Sequence, residues 1–545
     1  MNNDTIKDGD AMSRNEPTGA RRRRRTKTAA WLGVAGLCAT GAALAPLNTT
    51  GHAQAASESE GMVCTDGSIG SNGHRQFNLT ATDGYTSEPD GNAIYDWGYT
   101  ANGDVFQLPG PVMCINQGET VDVILTNELA VATSIQFPGQ EAVTYDDGLT
   151  SGPVGPVANP AGDLLALVQE APPATSIAYT FTATNAGTYV YESGSDPQLQ
   201  VQMGLFGSIV VRPTYQGAAI VISPEDIQAI PADGPTGVTT NADRGMTLAD
   251  ATAVQADAAC AYASTTDPSK CDPLAIYNGN RENILMLSEI DPGLHSFMEQ
   301  NKTDATKFTW NAYPGAYAAH YFMINGRSMP DTLAPNNAGW MPSQPYGAMA
   351  HVQPWDARVN PLDIMLRYVG VGVTGYDFHP HSNHEHVIAE DGALMKGTTT
   401  ATAATGNDNT EEKFNIMVAP GSTVDATFRW TNEEGYSDTS DGSKCGNTNI
   451  DPAKGTGCRL PATWPEGLNL KEGDFWSGSP YLGESGQLNA GILTKTQCGE
   501  YYHVAHSHDL TQATNYGITF GGMLTLIKVE PPDSAQAAMH LDCNG

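Results

Sequence analysis

The chain has 545 residues, 40% of them hydrophobic, which is enough to bury a sizeable core and to fill three ordinary domains or two large ones. It carries 27 Lys and Arg against 60 Asp and Glu, a formal net charge of −33. That balance argues against nucleic acid and anionic membranes as partners, because phosphate contacts need clustered cations.

Residues 1–55 read as an export signal. The basic run Arg21–Lys27 precedes an Ala/Gly/Leu-rich stretch from Ala29 to Leu47, and Ala53-Gln54-Ala55 supplies an A-x-A cleavage pattern. The long arginine-rich start points to the twin-arginine route. The lack of hydrophobic residues directly after an arginine pair keeps the Sec route open. The apolar stretch is short and weak for a membrane anchor, and no other transmembrane segment is visible. The mature chain is therefore expected to be periplasmic or extracellular, with no stable membrane insertion after cleavage. Residues 1–55 hold eight basic and four acidic residues, so 19 basic and 56 acidic residues remain and the net charge becomes −37.

Eight cysteines follow the signal: Cys64, Cys114, Cys260, Cys271, Cys445, Cys458, Cys498 and Cys543. An even number in an exported chain suggests disulfides. Cys260 with Cys271 and Cys445 with Cys458 lie close in loop-like segments and are the expected pairs, while the connectivity of the other four stays open. No C-x-x-C occurs, which excludes a zinc ribbon or a thioredoxin-type site.

From Asn78 to Pro213 the pattern alternates strand and turn, as in Val121–Asn127, Ile177–Thr182, Gly187–Tyr191 and the closing Gly207–Arg212. Residues 214–280 are richer in Ala, Asp, Pro and Thr and read as a linker with a disulfide-stapled excursion. Strand patterns resume at Asn283–Ile290, Tyr321–Asn325, Asp363–Val369, Val424–Trp430 and Gly522–Val529. A low-complexity loop at Thr398–Glu412 and a polar insertion at 432–496 interrupt them. The expected architecture is all-β, two β-sandwich domains at 56–213 and 281–530 with long loop insertions, then a tail at 531–545.

Seven of the 13 histidines fall in two runs: His379-Pro-His381-Ser-Asn-His384-Glu-His386 and His503-Val-Ala-His506-Ser-His508. Side chains at i and i+2 of a strand share a face. On neighbouring strands, His379 and His381 would therefore converge with His506 and His508. Four neutral imidazoles suit copper, zinc, iron or nickel, and the competing reading is ordinary surface or core histidines. Ser507 and His503 fall on the opposite face. If the strand continues regularly past His381, then His384 and His386 lie opposite His379 and His381 and define a second possible site.

Several motifs in order resemble the multicopper oxidase family, of the type built from two cupredoxin-like Greek-key domains. In the first half these are Leu108–Val121, Gly187–Gly194 and Gln202–Val211. In the second they are Ile324–Pro330, Asp377–His384, His506–His508 and Gly521–Met523. The resemblance covers most of residues 75–530. It implies copper as cofactor and four His-x-His pairs around a copper cluster that reduces dioxygen. Gln136 and Pro138 stand where one first-domain pair is expected, and Glu192 and Gly194 where the other is. Only His379/His381 and His506/His508 remain, with Glu192 as a candidate oxygen ligand or base and His384, His386 and His503 as weaker candidates.

The family's blue copper needs a thiolate between paired histidines, where this chain has Ser507. Tyr376 falls where that copper's first histidine is expected, and Asp509–Gly517 holds no histidine. Met523 matches the axial position. The expectation is an exported copper-dependent oxidoreductase with a reduced histidine site, no blue copper, and a small-molecule or metal-ion substrate. The alternative is a non-catalytic copper-binding or structural cupredoxin protein. The resemblance also implies a homo-trimer. Isolated His295, His320 and His351 are expected to be surface or capped residues, and Asp391-Gly392 a hairpin turn.

Overall fold

A computed structural model describes residues 60–430, apart from 102, 104, 233–238, 354, 356, 382–383 and 397–407, together with 501–519 and 521–529. The export signal, Cys445, Cys458, Cys498, Cys543, the 432–496 insertion and the 531–545 tail lie outside the described residues.

The chain is all-β in two sandwiches. In the first, Arg75–Ser87 pairs antiparallel with Ala93–Ala101 and parallel with Thr120–Asn127, which pairs in turn with Ser176–Thr182. Against this sheet packs a three-stranded one, Gly187–Glu192, Phe206–Arg212 and Val112–Asn116. Alternation explains the faces: in Thr120–Asn127 the residues Val121, Val123 and Leu125 are buried and the intervening ones partly exposed. They meet Ile115, Tyr191 and Ile209 of the smaller sheet in one core.

The second sandwich repeats the plan. Ile276–Ile290 runs parallel to Asp363–Gly370, which pairs with Thr423–Phe428 and onward to Glu385–Glu390. The facing sheet orders Ala350–Val352, Leu524–Val529, Tyr501–Ser507, Tyr376–Pro380 and Ile416–Val418. In both halves a parallel pair at the sheet centre requires the chain to cross between sheets, which gives Greek-key wrapping rather than a meander. A third cluster joins the halves, with Val112, Val190 and Val210 against Ile284, Met286 and Val369.

Between the two sandwiches, the described residues of 214–280 hold packed elements beside the disulfide-stapled excursion. Helices Pro224–Gln228 and Leu248–Val254 start at capping boxes, Ser223 with Asp226 and Thr247 with Asp250. Ile227, Met246 and Tyr262 are buried against Leu362, Met365 and Ile388. These apolar residues follow no strand period, so the sequence pattern alone hid their burial. Cys260 and Cys271 are bonded as expected, and Cys64 pairs with Cys114. Asp391 and Gly392 both have positive φ, 49° and 72°, as a two-residue hairpin turn requires. Among the described residues no helix is long and apolar enough to cross a membrane.

Candidate metal centre

The four histidines of the two His-x-His pairs come together on adjacent antiparallel strands. His379 is directly opposite His506, and the His381 amide donates to the Val504 carbonyl. Ring centres lie 4.6 Å apart for His379 and His381, 4.8 Å for His379 and His508, 5.2 Å for His381 and His506, and 5.9 Å for His506 and His508. His379, His381 and His506 are half-buried and His508 is exposed, so the cluster sits at the sandwich surface.

Second contacts fix how the rings are presented. His379 Nδ1 bonds the Phe414 carbonyl, and His506 Nδ1 bonds the Ser507 carbonyl at 2.7 Å. A carbonyl acceptor holds the proton on Nδ1 and leaves the Nε2 lone pair free, the usual support of a metal-binding imidazole. His381 Nε2 lies 3.1 Å from His506 Nε2. Two nitrogens each about 2.0–2.1 Å from one ion would stand about 3 Å apart, so this pair fits a shared cation. Burial lowers the pKa of His379 and His506. Burial, then the charges of neighbouring histidines, lowers that of His381 to about 4. These three imidazoles are therefore neutral near pH 7, the form that ligates. Among the described residues no three donors already converge on a single point. The arrangement is one closed pair flanked by two further imidazoles.

The weaker candidates are not part of it. The strand ends at Pro380, and Glu385–Glu390 belongs to the facing sheet, so the regular continuation that would place His384 and His386 opposite His379 and His381 does not occur. The last ladder bond of this strand is the one from the His381 amide to the Val504 carbonyl. His384 lies against Phe414, and His386 is a half-buried strand residue. His503 is buried on the opposite face, where its Nε2 accepts from Trp430 Nε1 at 3.1 Å. Of the isolated histidines, His295 is buried and bonded to Asp96, His320 stacks on Tyr516, and His351 bonds Glu60.

The first sandwich holds the counterpart position. Gln136 bridges Glu192 antiparallel, as His379 does His506. Glu192 faces the first residue of the closing strand, Phe206, as His506 faces Leu524. Gln136 Nε2 donates to Glu192 Oε1 at 2.8 Å, and burial raises the Glu192 carboxyl pKa. An amide–carboxylate pair thus replaces a histidine pair there. Beside it lies a cavity of about 360 Å³, lined by Gln136, Phe137, Pro138, Gln140 and Val168, in the first sandwich and away from the histidines.

The residues at the blue-copper position do not fit that group. Ser507 is fully buried and its Oγ donates to Gln512 Oε1 at 2.6 Å. The first sandwich makes the same bond, Ser193 Oγ to Gln200 Oε1 at 2.7 Å. Tyr376 donates its hydroxyl to buried Glu289. Met523 is fully buried in the core. With no thiolate and no imidazole, these side chains satisfy one another. Gln512 and Glu289 escaped the sequence reading because a glutamine and a strand glutamate carry no motif of their own.

Residues 90–216 match the family model described as multicopper oxidase. A probable nitrite reductase-hydroxylamine oxidoreductase fusion protein of Kuenenia stuttgartiensis is 34% identical over 134 residues, 24% of this chain. Multicopper oxidase CTB12 of Cercospora beticola is 30% identical over 107 residues, 19% of this chain. The chain spans 14% of the length of each of these curated relatives. Among solved structures, the blue copper oxidase from Nitrosomonas europaea aligns over 83% of this chain and 85% of its own, at 16% identity and a TM-score of 0.41.

Proposed function

We propose that this protein is an exported copper-dependent oxidoreductase of the multicopper oxidase type, in which His379, His381, His506 and His508 hold copper and no blue copper is present. The observation that carries this reading is the register His379 opposite His506, which draws two His-x-His pairs into one cluster. Copper bound there would supply one-electron redox chemistry. The chain's part is to orient the rings through the Phe414 and Ser507 carbonyls and to keep them neutral. Exposed His508 and the neighbouring ring of Phe414 leave the centre open to a small molecule or a metal ion as substrate.

The test is metal content and copper EPR of the mature protein against the His379/His381/His506/His508→Ala variant. Copper confined to the parent, with an EPR spectrum of nitrogen ligation, is the expected result, and equal metal in both overturns the site. A second reading, copper binding without turnover, is favoured by the closed Ser507–Gln512 bond at the blue-copper position. Oxygen consumption with phenols and reduced metal ions separates the two. Export, with cleavage after Ala55, is part of the proposal and is tested by N-terminal sequencing of the exported form. Domain limits at 56–213 and 281–530, drawn from the strand patterns, and a homo-trimer, implied by the family resemblance, are further proposals, the trimer being checked by native mass.

A further inference from the structure

Tyr376 stands three residues before His379 on the same strand, at the position the blue copper would need, and it is fully buried. Its hydroxyl donates to Glu289 Oε2. Glu289, 2% exposed, accepts at its other oxygen from the Val373 amide at 2.8 Å and lies 2.9 Å from the Tyr317 hydroxyl, which also reaches Gln202 Oε1 at 2.7 Å. Both oxygens face donors, so the group is built as a carboxylate acceptor. Gly372 closes over the pair, and any side chain there would strike both Tyr376 and Glu289. Tyr317 in turn packs against Trp310, with ring centres 5.8 Å apart, and both rings are half-buried. An aromatic series therefore runs from the surface through Glu289 to the strand that carries the histidines. From Tyr376 to His379 the distance along the strand is about 10 Å, at about 3.3 Å per residue.

We propose that Tyr376, with Glu289 as its proton acceptor, is a redox-active tyrosine that carries electrons from the Trp310–Tyr317 surface to the histidine site, in place of the missing blue copper. The proposal rests on the copper reading above for its oxidant. In the step, copper held at the histidines would serve as the one-electron oxidant: Tyr376 gives up one electron, and its phenolic proton moves along the existing hydrogen bond to Glu289 Oε2. The products are a neutral tyrosyl radical and a protonated Glu289. An electron passed inward through Trp310 and Tyr317 from a phenol-class donor restores the phenolate oxygen, and the proton returns from Glu289. The donor leaves as its own one-electron oxidation product. A proton acceptor must lie within hydrogen-bond reach of the proton it takes, and Glu289 does.

The test uses copper-free full-length protein, so that it reads the relay whether or not copper binds. Hexachloroiridate(IV) is added as a one-electron oxidant and the radical is followed by freeze-quench EPR. The expected result is a tyrosyl radical that is lost in Tyr376→Phe and strongly reduced in yield in Glu289→Gln, because the amide cannot take the proton. Tyr368→Phe, at another buried tyrosine bonded to a carboxylic side chain, leaves the signal intact. Near-UV circular dichroism confirms that each variant is folded. An unchanged radical in folded Tyr376→Phe, or no tyrosyl radical in the parent, overturns the proposal. Absence of copper in the parent overturns the metal reading separately.

Discussion

His381 has the strongest reason of the four to stay neutral, since burial and its neighbours' charges bring its pKa down to about 4. A histidine whose folded pKa lies below its unfolded value of about 6.5 binds protons more readily when unfolded. Its contribution to stability is thus present above about pH 6.5 and is lost as pH falls through about 4. The same neutrality governs ligation. Copper retained after dialysis is expected to hold from neutral pH to about pH 5 and to fall near pH 4, because protons then compete for the ring nitrogens. Retention unaffected well below that range would rule out imidazole ligands. Ser507 supports a second residue-level prediction. Ser507→Cys, loaded with copper, is expected to lack the intense blue thiolate absorption, because Tyr376 and Gln512 offer no imidazole beside the new sulfur. An intense blue band in that single variant would contradict the roles given to those two side chains.

The strand Glu385–Glu390 shows what the histidine-rich run does once it leaves the cluster. Glu385 points into the core, where Tyr368 donates to its Oε1 at 2.7 Å, and among the described residues its Oε2 has no hydrogen-bond partner. Burial raises its pKa to about 8, with the Tyr368 bond opposing only in part. A carboxyl whose folded pKa exceeds its unfolded value of about 4.3 stabilises fully below that value, and the contribution is lost as pH rises through about 8. Glu385→Gln is therefore expected to match the parent in urea unfolding near pH 4. Near pH 8.5 it should be more stable by about 2–4 kcal/mol, since an amide has no charge to bury. A variant less stable than the parent at both pH values would show that the carboxyl serves another purpose. In the opposite sheet, His379 and His381 bring their rings together, 4.6 Å between centres, because side-chain direction in a strand is a two-residue property. The crossover after Pro380 was not legible, since an alternating pattern does not say where a strand changes sheets.

At the scale of the whole molecule, the two sandwiches meet across a buried charge network. Arg367 Nε donates to Glu282 Oε1 at 2.7 Å and its Nη1 to Asp425 Oδ2 at 3.0 Å, while Arg212 reaches Glu282 Oε2 at 2.9 Å. Thr188 of the first sandwich bonds Asp425 at 2.6 Å. Burial would raise the Glu282 carboxyl, but Arg212 and Arg367 hold it down to about 2. Removing one member of such a network strands the others without solvent. Arg367→Leu is expected to cost roughly 3–5 kcal/mol in denaturant unfolding, and Asp425→Asn in the same background should recover part of it. A loss below about 1 kcal/mol would mean that water reaches the interface.

Strand positions, the all-β class and the four-histidine cluster were determined by the sequence itself. Period-two alternation, turn residues and i, i+2 spacing are local properties, and burying one face of each strand is what turns them into sheets. That Ser507 stands where the family resemblance expects the blue-copper thiolate was equally plain, as one residue carries it. Other features followed from no local rule. Helices within 214–280, the Cys64–Cys114 bond, the crossover that separates His384 and His386 from the cluster, and the buried pairs Ser507–Gln512 and Tyr376–Glu289 each join segments far apart in the chain. A buried polar group must find a partner wherever the fold brings one, so its identity is a property of the packed molecule and not of the residues beside it.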